Sequence, residues 1–362
     1  MFKNRGKVSV KEINLLVDTT NALKPILILL FFCGLDLTGS KNKWLGFLSA
    51  LCFHAMCFGI IIFKTVCLVE RFRWTFLVTS LLKLMTLLMW WFVYAKKPIV
   101  LTLIRELQTA NGELSNKDYK KIRRFSLAAA VCAAIVLCVQ PAIISFRYII
   151  PSGSKVVCHH LKFSKDDPWS WVAVILHEIV TTYVSISLNL AVSVFYAMIC
   201  YTLSKALSGD MNKRSKEKTL FMHQYALRMF QQIEEAFSAI MSILFVHFLA
   251  TLFKDLVVLV FVFKSGRFVT VYAYLFNFTV YATLTTIVVL SAEGVQKSAN
   301  NLRESVFRFS ESPGETAQYF RISEERKHLR LTGWGLFSLK KPLLLTVVTW
   351  LITYAIIIFQ LS

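Results

Sequence analysis

Residues 343–361 read LLLTVVTWLITYAIIIFQL, a run without a single charged side chain. As a helix rising 1.5 Å per residue it is about 28 Å long, close to the roughly 30 Å of hydrocarbon in a bilayer. Its few polar groups are not scattered. At 100° per residue Thr346, Thr349, Thr353 and Gln360 share an arc of about 60°. A helix surrounded by lipid gains nothing from such a stripe. A helix beside water does, because hydroxyls and an amide solvate a passing ion. Ile356 and Ile357 lie along or beside the stripe, where apolar side chains can close a pore by dewetting. The competing reading is that the same groups hydrogen-bond neighbouring helices, at about 0.6 kcal/mol each. One helix cannot enclose a conduit, so the pore reading requires an oligomer.

The same block length recurs upstream. Six further apolar runs, 44–69, 74–95, 125–149, 169–201, 237–263 and 268–292, make seven expected spans. A shorter run, 21–35, is interrupted by Pro25 and reads as an interfacial or re-entrant helix. The 362 residues are 56% apolar and 17% charged, against about 45–50% and about 25% in soluble domains. The expected fold class is therefore an all-α membrane protein with seven transmembrane helices.

A net charge of +20 would suggest nucleic acid in a soluble protein. Here the basic residues lie between the apolar blocks, and no polar domain exists on which they could form such a surface. No nucleic-acid partner is expected. Most of the eight cysteines sit inside apolar blocks as small hydrophobes. Cys158-His159-His160 has no fourth ligand at zinc spacing, so no metal site and no cofactor are expected. HExxH, paired carboxylates at working spacing and a Ser/His/Asp arrangement are likewise missing, which argues against an enzyme. The basic amino terminus lacks the pattern of a cleaved signal.

Orientation follows from the loops. If the amino terminus is cytoplasmic, segments 1–43, 96–124, 202–235 and 293–341 carry 30 of the 41 Lys and Arg residues, and the opposite loops carry seven. The positive-inside rule then places the carboxyl terminus outside, the reverse of a G-protein-coupled receptor. The cytoplasmic segments are long and helical in pattern. Residues 216–237 are expected to continue into the fifth span, and 294–309 to form a helix broken by Ser312-Pro313-Gly314 before a second, 315–330. Together they suggest a cytoplasmic helical anchor bundle. The expected organisation is 1–43 with the interfacial helix, spans one to four at 44–201 with the ligand-pocket region, and an anchor helix at 202–235. Spans five and six at 236–292, anchor helices at 293–341 and a pore-lining span at 342–362 complete it.

Two further polar stripes point to a ligand. Glu178, Thr182, Ser185, Asn189 and Ser193 share one face of the fourth span, and Tyr274, Asn277, Tyr281 and Thr285 share one face of the sixth. Facing each other they would line an outward-opening pocket of aromatic and hydrogen-bonding groups. Packing between helices explains the same stripes equally well. Lys83, Glu178, Lys254 and Asp255, with His177 beside Glu178, are intramembrane charges that need partners. The sequon Asn277-Phe278-Thr279 falls inside the sixth span and is read as inert.

The carboxyl-terminal segment also resembles a known family. Thr353-Tyr354, five hydrophobic residues and Gln360 match the arthropod gustatory receptor hallmark, with Leu361 where that family usually has Phe. The Gly-x-Phe/Leu-x-Leu stretch at 335–339 is similar as well. The resemblance implies structural roles for Gly335 and Tyr354 and a plug at the pore mouth at Leu361. It further implies a tastant-gated nonselective cation channel in the plasma membrane of sensory neurons. Its expected partners are a small-molecule tastant, permeating cations, the lipid bilayer and a homo- or heterotetramer with other gustatory receptors. The alternative is a secondary transporter of a small solute, which predicts broken midplane helices and internal repeats. Neither appears.

Overall fold

The computed structural model describes residues 23–37, 43–70, 74–110, 116–149, 168–208, 216–264, 268–309 and 329–361. The Cys158-His159-His160 cluster, the Ser312-Pro313-Gly314 break and all but the last two residues of 315–330 lie outside them.

The described chain is helical apart from one small hairpin. A short helix α1 (Leu23–Phe32) is followed by α2 (Lys43–Glu70), α3 (Trp74–Ala95), α4 (Lys97–Ala110), α5 (Asn116–Ile149), α6 (Pro168–Leu207), α7 (Lys216–Lys264) and α8 (Phe268–Phe309). The strands β1 (Thr332–Gly333) and β2 (Phe337–Ser338) pair antiparallel, and α9 (Lys341–Leu361) ends the chain. Seven of these helices, all except α1 and α4, are long and apolar enough to cross a membrane. That is the number expected from the hydropathy blocks.

α6 is the central post. Of an apolar 18-residue stretch within it, 89% is buried, and residues 186–200 are buried without interruption. Its serines and Asn189 let neighbouring helices pack close and bond to it, which lipid cannot do. It packs on α8, α5, α3 and α2, while α7 and α8 form the most extensive pair. At 49 residues α7 is about 73 Å long, more than twice the hydrocarbon thickness. Its first half continues as a helix without a break into the apolar half, as the spacing over 216–237 predicts. Met222, Ala226, Met229, Phe230 and Ile233 are buried along that half.

Two elements go beyond the sequence reading. α4, within 96–124, buries Val100, Leu103, Ile104 and Leu107 and packs on α7. Its Glu106 accepts hydrogen bonds from Gln232 at its Oε1 (2.9 Å) and from Tyr225 at its carbonyl (3.2 Å). The run 21–35 becomes α1 with Leu23, Ile26, Leu27 and Leu30 buried, so protein covers its apolar face. Gly34, at φ +80°, ends it. The Leu35 amide reaches back to the Leu30 carbonyl at 2.9 Å, the glycine-capped helix end that satisfies a carbonyl the helix leaves open.

The hairpin joins the core to α9. Trp334 (φ 52°) and Gly335 (φ 72°) both adopt the left-handed conformation, and the Leu336 amide closes the turn on the Gly333 carbonyl at 2.9 Å. α7 fastens it: the Thr332 amide donates to Glu234 Oε2 (2.9 Å), the Thr332 hydroxyl to Glu234 Oε1, and the Trp334 amide to Ser238 Oγ (2.7 Å). α8 fastens its exit through Gln296 Nε2 to the Leu339 carbonyl (3.0 Å) and the Lys341 amide to Glu293 Oε2 (2.8 Å). Gly335 thus occupies a left-handed position of the turn.

Candidate functional site

Two features stand out against the apolar background: a buried polar core between the helices, and a last helix that almost nothing covers.

The core is centred on Ser185 of α6. Its hydroxyl donates to the Thr181 carbonyl (2.6 Å) and accepts from the ammonium group of Lys83 on α3, which also reaches the Thr181 carbonyl at 3.1 Å. The Ser185 carbonyl accepts from Tyr281 Oη of α8 (3.0 Å) and from Asn189 Nδ2 (2.7 Å). His247 of α7 lies against the same group, 3.4 Å from Asn189 Nδ2 and 3.5 Å from the Thr86 hydroxyl. Lys83 is only 2% exposed. A cation so deep in apolar surroundings persists only where oxygens replace its lost hydration.

A second cluster lies along α8. Asn277 Nδ2 donates to Asp255 Oδ2, Gln140 Nε2 of α5 donates to Asn277 Oδ1 at 2.7 Å, and Lys254 sits 3.0 Å from Asp255 Oδ1. The expected interior ion pair therefore exists between Lys254 and Asp255, whereas Lys83 is held by neutral oxygens. The half-buried Asn277 has its amide committed to Asp255 and Gln140 inside a helix.

Of the proposed ligand residues, the structure joins Ser185 and Tyr281 directly and ties Asn277 into the neighbouring cluster. Thr182 is buried; Glu178 and Tyr274 are half-buried. The fourth- and sixth-span stripes face each other and touch at Ser185 and Tyr281. Asn189 and Ser193 are fully buried, Ser193 donating to the Asn189 carbonyl at 2.6 Å. Thr285, also buried, donates to the Tyr281 carbonyl at 2.8 Å. In these clusters two buried amide oxygens, Gln140 Oε1 and Asn189 Oδ1, have no hydrogen-bond partner among the described residues. They are acceptors open to a hydroxyl or a water. Gln140, His247 and Thr86 were not among the residues singled out from sequence. Each is a polar residue inside an apolar span, and that placement is the available signal.

The last helix is the opposite case. Only 6% of the α9 span is buried. Thr346, Thr349, Thr353, Ile356, Ile357 and Gln360 are all exposed, and the Thr346 and Thr353 hydroxyls fold back on the Pro342 and Thr349 carbonyls at 3.1 and 2.9 Å. α9 packs on the body chiefly through α7 and α8. Tyr354 meets Phe253 edge-on, ring centroids 5.5 Å apart. Among the described residues the stripe makes no hydrogen bond to another helix.

An all-helical chain with seven membrane-length helices around a polar core and an uncovered last helix has the fold of the insect olfactory receptors. The olfactory receptor OR5 from Machilis hrabei matches over 96% of this chain and 100% of that chain, with a TM-score of 0.66 at 13% sequence identity. The same receptor solved in complex with eugenol gives 0.67 at 14%, with equal coverage. Sequence comparison finds no matching family model and no matching relative among curated proteins.

Proposed function

We propose that this chain is a chemosensory receptor of the gustatory type, a tastant-gated nonselective cation channel. The observation that carries this reading is α9: a span with a threonine–glutamine stripe that no other helix of its own chain covers. Four copies arranged around one axis would enclose that stripe, giving a hydrated seam lined by Thr346, Thr349, Thr353 and Gln360. Ile356 and Ile357 then form the apolar constriction, with Leu361 at the mouth. The amino terminus faces the cytosol, as the loop charges require, and the pore opens outward in the plasma membrane of a sensory neuron.

The ligand acts at the polar core. Gln140 and Asn189 each offer an unused acceptor, and Glu178 and Tyr274, half-buried above Ser185, line its approach. That set suits a small polar or amphipathic molecule carrying hydroxyl groups. The structure of the Machilis hrabei receptor with eugenol supports a small-molecule ligand in this fold. Binding that favours the open arrangement pulls the equilibrium toward it by the difference in affinity between the two states. That bias reaches α9 through α7 and α8, which carry both the core residues and the anchors of the hairpin.

Patch-clamp recording from cells expressing the chain, with a panel of tastants, tests the reading. A ligand-evoked cation current supports it. Solute uptake without current would replace it with a transporter.

A further inference from the structure

The proposed channel leaves one feature unused, at the junction of α3 and α4. There an open groove of about 580 Å³ is lined by Tyr94, Lys97, Leu101, Thr102 and Arg105. We propose that this groove holds the headgroup of an anionic phospholipid.

Charge is the first argument. Lys97 and Arg105 lie eight residues apart, about 12 Å along one face of α4. Neither pairs with a carboxylate among the described residues. The one acid of α4, Glu106, is held from the other side by Gln232. Two unpaired cations beside a phenol and a hydroxyl make a receptor for a phosphate or carboxylate oxygen.

Position is the second. α4 starts one residue after α3 ends, so the groove opens where a span leaves the bilayer. Leading into it along α3, Leu81, Leu84, Leu88 and Trp91 are exposed at intervals of three and four residues, a continuous apolar track for acyl chains. Trp91 and Tyr94 are exposed aromatics at the depth where such rings sit among headgroups. Trp90 fixes the Tyr94 ring by stacking at 5.1 Å and is itself held by its Nε1 hydrogen bond to the Cys33 carbonyl at 2.9 Å. Segment 96–124 is one of the basic segments assigned to the cytoplasmic side, the leaflet in which anionic lipids concentrate. An apolar track that ends in two cations is the complement of a lipid, not of a soluble anion.

Native mass spectrometry of the purified full chain, offered equal amounts of phosphatidylserine and phosphatidylcholine, tests the site. Retention of phosphatidylserine is expected to dominate. The double variant Lys97→Gln/Arg105→Gln should weaken that retention about 30-fold, the effect of two interfacial charges. Lys120→Gln/Lys121→Gln, two exposed cations on α5, should leave it unchanged. If the first double variant fails to fold, Thr102→Glu, on the exposed wall of the groove, should repel the headgroup instead. Unaltered retention in the groove variants, equal loss in the α5 control, or displacement of the lipid by glycerophosphoserine at matching concentration would each overturn the proposal.

Discussion

Tyr281 of α8 donates a hydrogen bond to the Ser185 carbonyl of α6 at 3.0 Å, across 96 residues of sequence. It links the two helices that carry the proposed ligand-contacting residues. The same carbonyl also accepts from Asn189 at 2.7 Å, so losing one donor does not leave it bare.

Tyr281→Phe should therefore cost only about 0.6 kcal/mol, the average for an interhelical hydrogen bond in a membrane. A small drop in the thermal melting point of the detergent-solubilised chain checks this. In the channel assay the same change should raise the ligand concentration for half-activation. A shift in melting point with unchanged activation would assign Tyr281 to packing alone.

Asp255 presents the contrasting case. Its side chain is fully buried between Lys254 and Asn277. Asp255→Ala strands a half-buried ammonium group and an amide donor, a loss of up to about 3 kcal/mol, and should diminish the monodisperse peak in size-exclusion chromatography. Asp255→Asn keeps an acceptor toward Asn277 and should retain more of that peak.

The hairpin separates two kinds of glycine. A Cβ on Gly335 meets nothing within 4 Å, so Gly335→Ala costs only the left-handed backbone, about 1–2 kcal/mol. A Cβ on Gly333 would lie 2.3 Å from the Phe337 ring. Gly333→Ala should destabilise the chain through that clash, and adding Phe337→Leu should recover part of the loss. Melting curves of the two single variants and the double variant resolve both effects.

Gln360 is exposed on the single chain and makes no side-chain hydrogen bond among the described residues. Gln360→Ala should leave surface expression intact while altering single-channel conductance or ion selectivity. An unchanged single-channel current would remove Gln360 from the pore lining.

Hydropathy and periodicity made much of this protein legible. The seven membrane-length helices, the continuity of α7 from residue 216 and the stripe on α9 are properties of neighbouring residues in one helix, and a sequence displays those directly. α4 escaped notice because its amphipathic period is short and sits in a basic stretch. The left-handed turn at Trp334 escaped because a tryptophan carries no signal for that conformation; only its glycine neighbour does.

Tertiary structure alone decided which polar groups meet. Lys83 could have sought Glu178 or any other carboxylate, and the folded chain gives it Ser185 and the Thr181 carbonyl instead. It likewise decided that α6, rather than the more apolar α9, occupies the centre. Apolar content drives a segment out of water but does not choose between protein and lipid as its surroundings. That choice depends on how well side chains from distant parts of the chain interlock, and no local stretch of sequence contains that information.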